Sequence, residues 1–168
     1  ETPAQIARWR GWSEVLFAGA YGDMLKTAEN YLNNMLINGA VNPLWQAVCA
    51  DPKSFGAGSG VPITEADIKK IAPCWYPVHA TGYNFLVSNA TSAKVIAERI
   101  RGLVKNYQNC GFNCNEVIVV THSMGGLVGR ALLHPSYGNL LNDQNVKVLG
   151  MYHNVMPTIG AASAYKRM

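Results

Sequence analysis

Residues 117–130 read Val-Ile-Val-Val-Thr-His-Ser-Met-Gly-Gly-Leu-Val-Gly-Arg, and this stretch decides the fold. The β-branched run 117–120 has no polar residue alternating with it, which predicts a strand buried on both faces. Residues 124–133 are rich in glycine and apolar side chains and predict a helix that Pro135 ends. The stretch therefore predicts a sharp turn from a strand into a helix, with Ser123 at the corner.

Such a turn suits a nucleophilic serine, whose hydroxyl must project from the sheet and needs a base to take its proton. The turn is crowded, and Gly125 and Gly126 supply the small residues that it requires. The helix N-terminus favours a developing oxyanion, and the Met124 amide would be one oxyanion donor. We therefore predict that Ser123 is the nucleophile; the alternative is a serine that merely caps the helix.

The sequence departs from the usual G-x-S-x-G pattern at one position. Thr121 stands where the first glycine is usual. Threonine is small, so the departure is modest, and it requires backbone geometry at this position that suits a β-branched residue.

Four histidines are candidates for supporting roles. We expect His122 to support the turn through a hydrogen bond, or to be a core histidine, and not to be the base. His79 and His153 fall at the ends of predicted strands, an edge where open α/β sheets bind ligands. Each could therefore face a substrate channel; the alternative is a histidine packed under a loop. We expect His134, which precedes a proline, to be a helix cap or a surface residue.

The catalytic acid and base are not evident in the sequence. In the hydrolase fold that contains this type of turn, the catalytic residues follow along the chain in the order serine, acid, histidine. Asp143 and His153 follow Ser123 in that order, but Asp143 precedes a predicted strand and so belongs at the wrong edge of the sheet. We predict that this pair does not act on Ser123, and we find no convincing acid or base in this chain.

The remaining pattern predicts an α/β fold in a single domain. From residue 75 onward, predicted strands and helices alternate, which implies right-handed crossovers and a mostly parallel sheet with flanking helices. A capping threonine, Thr64, predicts another helix start. The predicted helices are 23–37, a short piece from 43 to 49, and 92–107; the predicted strands are 75–79, 117–120 and 146–152, with 12–17 a strand or a helix entry and 51–62 a loop.

Composition narrows the functional classes. Of the 168 residues, 49% are hydrophobic, enough for a packed core, and 14% are charged, against about 25% in an average soluble chain. The low charge suggests a surface covered by further chain, a partner or lipid. The net charge of +4 is scattered, which argues against nucleic acid, and no apolar stretch approaches the length of a membrane span.

The four cysteines do not match a metal site. Cys110 and Cys114 flank a short loop, where they either form a local disulfide or remain two ordinary thiols. Cys49 and Cys74 are expected to be buried small hydrophobic residues.

Several segments resemble PGAP1-like lipases of the α/β-hydrolase superfamily, and especially bacterial lipase effectors of type VI secretion. The resemblance covers most of the chain, and its nucleophile segment is specific to the superfamily. The matching segments are 8–12, 21–23, 76–84, 119–128 and 153–161.

The resemblance implies that Ser123 is the catalytic serine of a lipase or phospholipase that hydrolyses carboxylic esters of membrane lipids without a cofactor or a metal. It implies a lipid partner at a membrane surface, an immunity or inhibitor protein, and secretion or delivery to the periplasm of a target cell. Rival interpretations are another serine acyl hydrolase, such as an esterase or thioesterase, and a non-catalytic binding module.

The resemblance also implies parts that the sequence does not contain. These are an upstream strand with an oxyanion loop and downstream segments carrying the acid and the histidine. Residues 1–168 are therefore expected to be the central part of one α/β-hydrolase domain, a core fragment completed by the remaining part of the same hydrolase. Produced alone, this fragment is expected to be poorly soluble and inactive.

Overall fold

The computed structural model describes residues 2–12 and 18–161, which form two compact units, Glu1–Gly82 and Tyr83–Met168. Most of the segment 12–17, predicted as a strand or a helix entry, lies outside the described residues. The first unit contains α1 (Pro3–Trp9), α2 (Ala18–Asn33), β1 (Leu36–Ile37), β2 (Ala40–Val41), α3 (Pro43–Ala50) and α4 (Glu65–Ile71); the second contains α5 (Asn89–Asn109), β3 (Glu116–His122), α6 (Gly125–Leu133) and β4 (Lys147–Asn154).

Local signals place most of the helices of the first unit. The expected cap at Thr64 is confirmed, since its hydroxyl accepts from the Asp67 amide while the Asp67 carboxylate accepts from the Thr64 amide. Asn42 caps α3 with a single bond, in which its side-chain oxygen accepts from the Leu44 amide. The short helix after Asn42 and the loop character of most of 51–62 are also confirmed, with a 3₁₀ turn at Pro52–Phe55.

The helix expected over 23–37 is wrong at its C-terminal end. It ends at Asn33, and Leu36–Ile37 pairs antiparallel with Ala40–Val41 as a small hairpin. Asn38 and Gly39 form the turn with φ of 50° and 81°, the left-handed geometry of a type I′ hairpin turn. The helical spacing of apolar residues thus extends past the end of α2 into β1. The Asn38-Gly39 pair is the sequence signal that indicates the hairpin.

The strand expected at Trp75–His79 is absent, because side chains satisfy its backbone in place of a neighbouring strand. The Asn33 carboxamide bonds both the amide and the carbonyl of Tyr76, at 2.8 Å each. The Val78 amide donates to the Glu29 carboxylate, and the Trp12 indole donates to the Val78 carbonyl. The segment is therefore irregular chain fixed by helix and loop side chains.

The second unit has the α/β arrangement that the sequence predicts for this region, with a small sheet. Strands β3 and β4 run parallel, joined through α6, and α5 packs on α6. The helix expected over 92–107 is longer, and the Ser88 hydroxyl caps it by accepting from the Thr91 amide. The sheet residues Val119, Val148 and Met151 pack against a buried core. This core consists of Ala93, Ile96 and Ala97 of α5, Val128 and Leu132 of α6, and Leu140 of the following turn.

The expectation that 117–120 is buried on both faces is wrong in this structure. Burial alternates along β3, because α5 and α6 cover only one face of the sheet. Val120 of β3 and Tyr152 of β4 remain 67% and 62% exposed on the other face. A continuous β-branched run therefore does not distinguish a strand covered on both faces from one covered on a single face.

An ion pair fixes the chain between α6 and β4. The Asp143 carboxylate accepts from the Arg101 guanidinium at 2.6 Å and from the amides of Asn145 and Val146. Burial by itself would raise the pKa of Asp143, but these donors outweigh it and hold the pKa below its usual value. Arg101 also donates to the Gly138 carbonyl, so α5 is tied to both ends of this connection.

We expect Asp143→Asn to lower the free energy of unfolding at pH 7 by about 1–3 kcal/mol, because it removes the more buried of the two charged partners of Arg101 and leaves only the exposed Glu98. Folding lowers the pKa of Asp143, so its contribution is complete above about pH 4 and is lost as pH falls through the folded-state value. Denaturant unfolding between pH 3 and 7 measures both effects. Glu98→Gln removes the 74% exposed partner of the same arginine and should cost less than about 0.5 kcal/mol; equal losses in both variants would contradict the assignment.

Candidate active site

Ser123 stands at the junction of β3 and α6. Strand β3 ends at His122, Ser123 has φ of 53°, and Met124 already has helical angles. The carbonyls of Ser123 and Met124 accept from the amides of Gly126 and Leu127 at 2.9 and 3.0 Å, so they open the helical hydrogen-bond pattern. The predicted turn from strand into helix, with the serine at its corner, is thus confirmed as backbone geometry.

The conformation of Ser123 is unfavourable for a residue with a side chain. A left-handed φ costs a non-glycine residue roughly 1–2 kcal/mol, so the surrounding packing must enforce it. The residue is exposed, and among the described residues α6 begins without a side-chain capping bond. Strain with exposure is the combination expected where a side chain must be presented to a ligand.

Glycines allow α6 to lie close to the sheet and to the chain after β4. A Cβ built on Gly126 would lie 2.5 Å from Met156 Cγ, and one on Gly129 would lie 3.0 Å from Thr121 Cγ2. Gly125 differs, since its nearest neighbour, a Tyr83 ring carbon, would lie at an ordinary 3.8 Å. Close packing thus operates at Gly126 and Gly129, whereas Gly125 has room for a small side chain.

The C-terminal end of β4 holds the turn at two points. The Ser123 amide donates to the Asn154 carbonyl at 2.9 Å. The Thr121 hydroxyl and His153 Nδ1 form a hydrogen bond of 2.7 Å, whose donor depends on the histidine tautomer. The bond between Thr121 and His153 was not expected from the sequence; the signal for it is that the two residues face each other across the parallel pair.

The second unit contains three histidines, and each lies in a different environment. His153 lies on the helix-covered face of the sheet, with Cε1 3.3 Å from a Cβ built on Gly129. His122 ends β3 on the opposite, exposed face. His134 stacks on Tyr137 beyond the C-terminus of α6, the end of the helix away from Ser123, where it is the C-cap residue.

Asp143 and His153 do not form a pair. Asp143 is bonded to Arg101 and to two amides, while His153 is bonded to Thr121. The two side chains are therefore engaged with different partners, in keeping with the expectation that they do not form a catalytic pair. A cavity of about 610 Å³ in the second unit is lined by Asn115, Val146 and Lys147 at the N-terminal ends of the strands, and Ser123 does not line it.

His79 belongs to the first unit, where it packs edge-on against the Trp9 indole, with 5.0 Å between ring centroids. Burial, and then the charge of Arg10, lower the pKa of His79 to about 4. Arg10 is buried, forms an ion pair with Glu29, and lies over the Trp9 and Trp75 rings. His79 is accordingly neutral at physiological pH.

All four cysteines are free thiols in this structure, so Cys110 and Cys114 are not joined. Cys74 is exposed and Cys49 half-buried, which makes the expectation of burial wrong for Cys74. Within residues 2–12 and 18–161, no three His, Cys, Asp or Glu side chains converge as a set of metal ligands. None of the helices in these ranges combines the length and hydropathy that a membrane-spanning segment needs.

Comparison of the chain with models of protein families, with curated proteins and with solved structures gave no match.

We expect Gly126→Ala to lower the free energy of unfolding by about 1–3 kcal/mol, because its Cβ would overlap Met156 and force α6 away from the chain after β4. Gly125→Ala is the matched control on the same helical turn; it should change stability by less than about 1 kcal/mol, since alanine also has the higher helix propensity. Thermal and urea unfolding decide between them. Equal stability of the two variants would mean that Gly126 is not closely packed.

The strain at Ser123 predicts an unusual order of stability. Ser123→Gly should be more stable than Ser123→Ala by about 1 kcal/mol, because glycine adopts a positive φ without steric cost. At the exposed Ser136, where φ is not positive, the order should reverse. Urea unfolding of the four variants measures both differences, and glycine below alanine at both positions would show that Ser123 is unstrained.

Proposed function

We propose that this protein is a serine ester hydrolase of the lipase type and that Ser123 is its nucleophile. The observation that carries the proposal is the strained, exposed Ser123 between the end of a parallel strand and the start of a helix. A buried helix cap or a loop serine needs no such conformation, whereas a nucleophile on a sharp turn does.

The reaction follows from this placement. Ser123 Oγ attacks the ester carbonyl carbon, its proton passes to a base, and the alcohol leaves with a proton returned by that base. Water then attacks the acyl-serine, releases the carboxylic acid and restores the hydroxyl. The Met124 amide, at the start of α6, donates to the oxygen that becomes negative in each step. Neither step needs a cofactor.

The general base comes from outside the second unit in this proposal. His153 is bonded to Thr121 under α6, and His134 lies at the distal end of that helix. His122 shares the strand end with Ser123 but lies on the uncovered face of the sheet. A histidine and an acid supplied by other chain segments would complete the site, as the resemblance to α/β-hydrolases implies.

The exposed sheet face supports the same arrangement. Parallel strands normally have both faces covered, yet Ile118, Val120, Leu149 and Tyr152 leave one face apolar and open in the described residues. We infer that the sheet is the core of a larger α/β-hydrolase sheet and that the remaining part of the same hydrolase covers this face.

The proposed substrate is a phospholipid or another lipid ester at a membrane surface. The support is the resemblance of residues 119–128 and 153–161 to bacterial lipase effectors of type VI secretion. The same resemblance supports release from the producing cell into the periplasm of a target cell, and an immunity or inhibitor protein as partner.

A non-catalytic binding module is the second candidate function. The observation that favours it is the engagement of His153 and His134 in contacts that do not reach Ser123. An esterase or thioesterase would share the nucleophile with a lipase and differ in its acyl substrates.

We expect Ser123→Ala to lower ester hydrolysis by the native protein by a factor on the order of 10⁴ or more, with little change in unfolding temperature, because the members of a catalytic triad act as a unit. A fluorophosphonate probe should label the parent and Ser136→Ala at equal rates and leave Ser123→Ala unlabelled. Hydrolysis retained in a folded Ser123→Ala protein would overturn the proposal.

The class of substrate is measured with the same variants. Rates on phosphatidylglycerol and phosphatidylethanolamine vesicles, on p-nitrophenyl butyrate and on acyl-coenzyme A should rank the vesicles first for a lipase. A preference for the short ester indicates an esterase, and one for acyl-coenzyme A a thioesterase. Absence of labelling and of turnover in the folded native protein would support the binding module.

A further inference from the structure

The last two residues of β4 hold β3 on both sides of His122. His153 bonds the Thr121 side chain at 2.7 Å, and the Asn154 carbonyl accepts from the Ser123 amide at 2.9 Å. The two bonds bracket the point where the chain leaves the strand and takes up the positive φ of Ser123. One side-chain bond and one backbone bond therefore fix the position from which the serine hydroxyl projects.

The half-buried His153 ring lies between the sheet and α6. It bonds Thr121 on one side and lies against Gly129 on the other, next to the methyl group of Thr121. This location lies on the helix-covered face, and it gives the ring a structural partner on each side. The ring therefore contacts both Thr121 and α6 on this face.

The strand pairing contains a feature that produces this contact. Val117 pairs with Val148, but Ile118 pairs with Gly150, so Leu149 is an extra residue in β4. Without this bulge the pairing after Val117 would be displaced by one residue, and Thr121 would lie opposite Tyr152. The bulge thus brings His153 opposite Thr121 and turns its ring to the helix-covered face.

We propose that His153 is a positioning residue for Ser123, acting through its hydrogen bond to Thr121; this role rests on the proposed hydrolase function. The bond holds the end of β3 against β4, so that the Ser123 amide stays on the Asn154 carbonyl and the hydroxyl keeps one direction. The residue that replaces the first glycine of the usual nucleophile pattern is thereby part of the support for the nucleophile.

Two matched pairs of variants test the bond itself. Thr121→Val keeps the shape of the side chain and removes the hydroxyl, while Thr121→Ser keeps the hydroxyl. His153→Leu removes Nδ1, while His153→Asn keeps a polar atom at the δ position of the side chain. The rate of fluorophosphonate labelling of Ser123 in the native protein should fall on the order of tenfold or more in the Val and Leu variants, since small misplacements of a reacting group cost this much. It should be largely restored in the Ser and Asn variants.

A double-mutant cycle shows whether the two side chains act through each other. The Thr121→Val/His153→Leu protein should label no more slowly than either single variant, because one bond is lost in all three. Multiplied losses would mean that the residues act separately, and this would overturn the proposal. Labelling of folded Thr121→Val at the parental rate would also overturn it.

Hydrogen exchange gives a readout that does not depend on catalysis. The Ser123 amide should lose at least tenfold of its protection in Thr121→Val and regain it in Thr121→Ser, with equal unfolding temperatures excluding a global effect. Unchanged protection in Thr121→Val contradicts the positioning role. If the parent protein is labelled no faster than Ser123→Ala, the hydrolase function fails, and exchange alone then decides whether His153 holds the turn.

Discussion

The close approach of α6 to the ends of β3 and β4 is the constraint on which the site depends. Gly126 lies against Met156 and Gly129 lies against Thr121 and His153, so side chains at these two positions would displace the helix. Only a helix held this near can begin within two residues of the strand end and place its first amides behind Ser123. The left-handed backbone at Ser123 is a consequence, because the chain must reverse within one residue.

Local sequence signals predicted the elements whose stabilising contacts are local. The capping box at Thr64 and the amphipathic spacing of α5 are examples, and in both the deciding hydrogen bonds lie within one helical turn or follow its periodicity. The segment 75–79 was predicted wrongly because its partners, Asn33 and Glu29, are more than 40 residues away in the chain. Aromatic and β-branched composition indicates an extended chain, but not whether a strand or a set of side chains will bond it.

The same distinction separates the parts of the site that the sequence predicted from those that it did not. The position of Ser123 and the packing role of Gly126 follow from residue types next to each other in the chain. The bond between Thr121 and His153 depends on strand register, and the register depends on the single extra residue Leu149 in β4. Hydrophobic pattern does not specify a bulge, since Val148 and Leu149 are equally apolar and either could face the helix.

The bulge gives a physical reason for threonine at position 121. Glycine there would remove the hydroxyl to which Nδ1 of the half-buried His153 is bonded. It would also remove the methyl group that packs against Gly129. Threonine supplies both the hydroxyl and the methyl on one short side chain, and its β-branched shape suits the end of a strand. The hydrogen bond between Thr121 and His153 therefore depends on both side chains and on the extra residue Leu149, and a change at any one of the three removes it.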